Sequence, residues 1–95
     1  NIKINIMKAQ LVNTNGDVKS VRPKNNKTFT LKELQAYVDG YIQILQTRDD
    51  RIMIINEEGK LNKLPYNEIA SSLYIYGLQD PVVGDVLVMD KKMIN

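Results

Sequence analysis

The sequence contains neither cysteine nor histidine. Without cysteine there is no disulfide to staple the chain and no thiolate to hold zinc. Without histidine the commonest general base at neutral pH is gone as well. No glycine-rich phosphate loop exists: Gly16, Gly40, Gly59, Gly77 and Gly84 are scattered, one to a turn. No apolar run approaches the roughly 18 residues that span a bilayer, and no signal-like segment is read before the first strand. Ser71 and Ser72 lack a neighbouring base, and Asp49-Asp50 lacks the spacing of a calcium loop. These absences point away from an enzyme, and no cofactor, metal or membrane contact is expected. A cysteine-free chain fits a reducing cytoplasm.

What remains suits one domain over residues 1–95. The composition is 43% hydrophobic and 25% charged, ordinary for a soluble globular chain. A domain of this size buries about 65% of its unfolded surface, enough for one modest core. The net charge is +2, but residues 1–32 carry +6 and residues 33–95 carry −4. Such asymmetry suits either a basic face for an acidic partner or a solvated basic edge.

The opening alternates: Ile2, Ile4 and Ile6 share one side, and Met7, Ala9 and Leu11 the other, as in a strand with a phase change at Met7. Residues 1–6 also read as a leader strand. Asn15-Gly16 predicts a hairpin turn, and residues 17–22 return as an edge strand blunted by lysine and Pro23. Thr30 and Glu33 form a capping box, with Phe29 placed to pack on Leu34. The helix they open buries Leu31, Leu34 and Val38 and ends at a left-handed Gly40. Residues 41–47 and 51–56 form a second hairpin. Its IMII run is apolar at every position, so that strand should be central. A second helix is expected over residues 67–76, stopped by Gly77, with Ile69, Leu73 and Tyr76 inward. The last strand covers residues 83–89 and bulges at Gly84, and the tail, residues 91–95, frays. The result is an α+β domain in the order ββαββαβ, a mostly antiparallel sheet with both helices packed on one face.

Three segments, TLKELQAYVDGYIQ, NEEGKLNKLPYNEIA and VVGDVLV, resemble domain-of-unknown-function family 3846, small proteins of phages, plasmids and conjugative elements. Gly40, Tyr41, Ile42, Asn56, Glu57, Glu58, Gly59, Asn67, Ala70, Gly84 and Asp85 match its pattern. Asp39 stands where the family has glycine, and Gln43 where it has an acid. The resemblance implies no activity; it implies a small accessory protein of mobile DNA in a bacterium.

Two groups of residues are candidates for binding. The first is Tyr41 with Glu57, Glu58 and Asn67. Glu57, Glu58 and Asn67, with Glu68, would gather at one end of the sheet to hold a metal or polarise water. The local reading is simpler: a turn in which Gly59 takes positive φ, then Asn67 as a helix cap with Glu68 in the first turn. The other group is Lys19, Arg22, Lys24 and Lys27, with Lys32 nearby, a basic strand and loop able to neutralise phosphates. The alternative is an edge protected from aggregation. Tyr66, Tyr74 and Tyr76 around the second helix suggest an aromatic interface. The leading expectation is a binding module with a protein partner, with nucleic acid as the alternative. The chain would act as a monomer or as a homodimer through a sheet edge, the first or last strand.

Overall fold

The computed structural model describes residues 8–95. The opening alternation over residues 2–7, with its phase change and leader, lies outside the described residues. The elements are β1 (Ala9–Val12), β2 (Val18–Val21), α1 (Leu31–Val38), β3 (Ile42–Gln46), β4 (Ile52–Asn56), α2 (Glu68–Leu73) and β5 (Val86–Met89). The expected order holds, and every strand pairing is antiparallel. The Asn15-Gly16 turn closes through Asn13 N–H to Asp17 O at 2.8 Å, with Gly16 at φ +95°.

The five strands run β2-β1-β5-β4-β3 across the sheet. The first and last strands are therefore interior, not edges; β5 inserts between β1 and β4. Pairing on both sides follows from composition, since all four residues of VLVM are buried. The edges are β2, as expected, and β3.

The helices do not share a face. Ile52, Ile54, Leu87, Met89 and Ala9 pack with Leu34 and Val38 of α1. The alternate residues Met53, Val86, Val88 and Val12 pack with Ala70 of α2, Val82 and Tyr74. Successive strand residues point to opposite sides, so strands apolar at every position need a cover on each. Burial of each such side chain contributes about 1.5–3 kcal/mol.

The capping box forms as expected: Glu33 N–H donates to Thr30 Oγ1 at 3.2 Å, and Thr30 N–H to Glu33 Oε1 at 2.9 Å. Leu31, expected inside, is 58% exposed. Tyr37 takes its place, edge-on to Phe29 with ring centres 6.1 Å apart, so the stripe turns toward Phe29. The left-handed residue ending α1 is Asp39, at φ 59°, not Gly40. Gly40 is there for space: a Cβ at that position would lie 2.8 Å from Asn56 Nδ2.

α2 stops at Leu73, short of Gly77, because Tyr74 turns extended and bridges to Thr47 beside β3. Tyr74 is thereby buried while Tyr76 is 58% exposed, the reverse of the helical expectation. The tail does not fray. Lys91–Met93 forms a 3-10 turn with Met93 buried. Phe29 N–H donates to Met93 O at 2.7 Å and Asn95 N–H to Phe29 O at 3.1 Å. Among the described residues no helix is long and apolar enough to cross a membrane.

Candidate functional site

The acidic group does not converge. Asn67 is buried and wholly occupied. Its Oδ1 accepts from Ala70 N–H at 3.0 Å, and its Nδ2 donates to Val12 O at 3.0 Å and Gly84 O at 2.9 Å. One side chain thus caps α2 and ties it to the end of β1 and to the approach to β5. Asn56, at the end of β4, plays the matching part on the other face. Its Nδ2 donates to Val38 O at 3.1 Å and Asp39 O at 3.2 Å, satisfying the carbonyl end of α1. Its Oδ1 accepts from Glu58 N–H at 2.8 Å, which shapes the turn.

Glu57 and Glu58 follow as exposed residues of that turn. Glu57 lies beside a small cleft of about 90 Å³ with Gln43, Lys60 and Asp80. Lys60 and Asp80 pair with each other across it. Asn67 and Glu68 border a separate hollow of about 190 Å³ against Asn13–Gly16. Among the described residues no three acids gather closely enough to hold a metal ion. Gly59 does not take positive φ; the left-handed residue of its turn is Lys63, at φ 54°. Tyr41 is 65% exposed, and its carbonyl accepts from Glu57 N–H at 2.8 Å.

The basic group is organised differently. Arg22 and Lys24 line a groove of about 560 Å³ between the β2–α1 loop and α1, joined by Lys32, Asn25, Thr30, Glu33, Ala36 and Tyr37. Lys19 and Lys27 are exposed outside it, on β2 and the loop. The loop is built rather than slack. Pro23 is buried, and Asn26 N–H donates to Pro23 O at 3.0 Å. Asn25 Oδ1 accepts from Lys27 N–H at 2.8 Å and Thr28 N–H at 2.9 Å. Glu33 straps the loop to the helix, its Oε2 accepting from Lys24 N–H at 2.9 Å.

The Thr30 and Lys24 amides hold the Glu33 carboxyl below the usual carboxylate range. Both its oxygens accept from backbone amides, and its negative charge stays in the groove beside Lys24. The ion pairs among the described residues join Arg51 to Asp49, Lys60 to Asp80 and Lys91 to Asp50. None involves Arg22, Lys24 or Lys32. The groove presents three cations and one carboxylate, a net positive charge, around Ala36 and Tyr37.

A family model described as a domain of unknown function, DUF3846, matches residues 7–93. The chain belongs to this family. No curated protein and no solved structure matches it. Five of the eleven residues that match the family pattern lie on the two asparagine-centred joints: Gly40 against Asn56, and Asn67 with Ala70 and Gly84. The groove residues Thr30, Ala36 and Tyr37 escape a reading that treats α1 as a buried stripe only. Their signal is present: Lys32 and Ala36, and Glu33 and Tyr37, are spaced four apart and so share a helix face.

Proposed function

We propose that this chain is a small accessory protein of a phage or mobile element and a non-catalytic binding module. It docks on a host or element macromolecule through the groove between the β2–α1 loop and α1. One observation carries the reading: Arg22 and Lys24, on a loop tied down by its own hydrogen bonds, and Lys32 on α1 surround an open groove whose one carboxylate is Glu33, and none of the three is in an ion pair among the described residues. Preorganised cations over an Ala36–Tyr37 floor suit a protein segment with acidic and apolar side chains, because both kinds of contact form at once. A nucleic-acid strand is the alternative reading. It is favoured by Lys19 and Lys27, which extend the positive charge beyond the groove along the edge strand and loop.

The Arg22→Glu, Lys24→Glu double variant tests this. Affinity capture from the source cells is read by mass spectrometry for protein and nucleic acid, with labelled oligonucleotides titrated at low and moderate salt. The wild type retains one partner class and the double variant loses at least tenfold of that binding. Retention of every partner by the double variant sinks the proposal. Oligonucleotide binding that weakens steeply with salt selects the nucleic-acid reading. Turnover of a nucleotide or ester by the folded protein, abolished by Glu57→Gln, removes the non-catalytic part.

A further inference from the structure

The outer edge of β3 carries an independent inference, away from the groove. In the β3–β4 hairpin the odd residues of β3 turn their backbone groups inward: Thr47 N–H donates to Arg51 O at 3.0 Å, and Tyr41 O accepts from Glu57 N–H at 2.8 Å. The even residues therefore face outward. At the far end these groups are occupied. Gln46 O accepts from Ile75 N–H at 3.2 Å, and Arg48 N–H donates to Leu73 O at 2.9 Å. At the near end Gly40 N–H donates to Gln35 O at 3.2 Å. Between them, the backbone groups of Ile42 and Ile44 meet no other strand among the described residues. Tyr41 is 65% exposed and Ile44 49% exposed, and residues 41–47 contain no charge and no proline. The β2 edge, by contrast, has Lys19, Arg22 and Pro23 to resist pairing.

We propose that this edge pairs with a second copy of the same chain, antiparallel across a two-fold axis through Gln43, joining two sheets into one. The register follows from what is already occupied. An axis through Ile44 would need the backbone of Gln46, where the 73–75 segment sits. An axis through Ile42 would need Gly40, which ends α1. An axis through Gln43 uses the open residues alone: Ile42 exchanges both bonds with the partner's Ile44, and Ile44 both bonds with the partner's Ile42.

The same axis makes the edge complementary to itself. Ile42 and Ile44 of both copies meet on the α1 face, and Tyr41 lies opposite the partner's Leu45 on the other. The two molecules, each of net charge +2, touch where neither brings a charge.

The absence of cysteine makes a clean test. Gln43 faces itself in a non-hydrogen-bonded pair, where Cα atoms lie about 4.5 Å apart, within disulfide reach. Gln43→Cys is expected to oxidise to a covalent dimer at least tenfold faster than Ser20→Cys on the β2 edge. Sedimentation of the wild type at about 100 µM is expected to show a dimer. Ile44→Lys is expected to return it to a folded monomer, with a melting curve unchanged at dilutions where the wild type is also monomeric. A monomeric wild type, a dimer that survives Ile44→Lys, or crosslinking at Ser20 as fast as at Gln43 would each overturn the proposal.

Discussion

Between Ile55 and Ala70 the amides of Asn56 and Asn67 are buried, and each of their donors and acceptors meets backbone. Between Lys19 and Lys32 the cations end at the surface, around a groove, with no ion-pair partner among the described residues. The acidic stretch, with three asparagines and one glycine, has the residue types of an active site and serves as two structural joints. The basic stretch has the residue types of a guarded edge and, with α1, borders an open groove of about 560 Å³. The difference is whether a polar group's hydrogen bonds are already satisfied within the fold. A satisfied buried amide stabilises; an unsatisfied surface cation is available to a partner.

The strongest way to break this contrast is at Asn67. Asn67→Ala removes a helix cap and the side-chain donor shared by the carbonyls of Val12 and Gly84. The expected loss is about 3 kcal/mol, near 15 °C in melting temperature for a domain of this size. Asn67→Asp should cost about as much, since a carboxylate keeps the cap acceptor but faces two carbonyls with no proton to give. Thermal melts of both variants, beside Glu57→Gln at the exposed turn, check this. A melting temperature unchanged in Asn67→Ala and lowered in Glu57→Gln would invert the comparison.

Gly40 offers a finer probe. A methyl group there would lie 2.8 Å from Asn56 Nδ2, so Gly40→Ala displaces the amide that closes α1. The expected cost is about 1–2 kcal/mol. In an Asn56→Ala background the same substitution should be nearly neutral, because the obstructing atom is gone. A double-mutant cycle in denaturant measures the coupling; additive effects would show that Gly40 matters for another reason. The Arg22→Glu, Lys24→Glu variant is the counterpart on the basic side: its stability should stay within about 0.5 kcal/mol of wild type while partner binding falls.

Local chemistry was legible in the residues themselves. The capping box at Thr30 and Glu33, the Asn15-Gly16 turn, the cap at Asn67 and the central IMII strand each have a cause within a few positions, and each formed. Long-range arrangement was not. Nothing local says that β5 inserts between β1 and β4, so the edges were misplaced. Strands apolar on both sides do require two covers, yet the simplest packing put both helices on one. Asp39 rather than Gly40 takes the left-handed position, and Gly40 answers to Asn56, far off in sequence, which claims the space beside it. The groove was half legible: Arg22 and Lys24 could be read, but Ala36 and Tyr37 join them only once the loop folds against α1. The tail has no local signal for order, because its anchor, Phe29, pairs with it across most of the chain.

Acid gives the smallest effect and tests two carboxylates, Asp49 and Glu33, whose oxygens are bonded within the fold as the buried amides are. Asp49 at the β3–β4 turn is held down to about 2, first by the hydrogen bond from Arg51 and then by that from Thr47. Glu33 is lowered by the Thr30 and Lys24 amides. A depressed carboxylate stabilises the fold above its unfolded pKa, and that contribution disappears as pH falls through the folded value. For Asp49 the window runs from about pH 4 down to about pH 2, and its half-exposed side chain keeps the effect below about 1 kcal/mol. Asp49→Asn should flatten the stability curve over that window. Glu33→Gln keeps one acceptor for the Thr30 amide but puts an NH2 group in place of the oxygen that holds Lys24 N–H. Hydrogen exchange at the Lys24 amide should then quicken at neutral pH, and wild type should show the same loosening in acid. If Lys24 exchanges at the same rate in both proteins, the loop is held by Pro23 and Asn25 alone, and Glu33 would be an exposed acid of the groove after all.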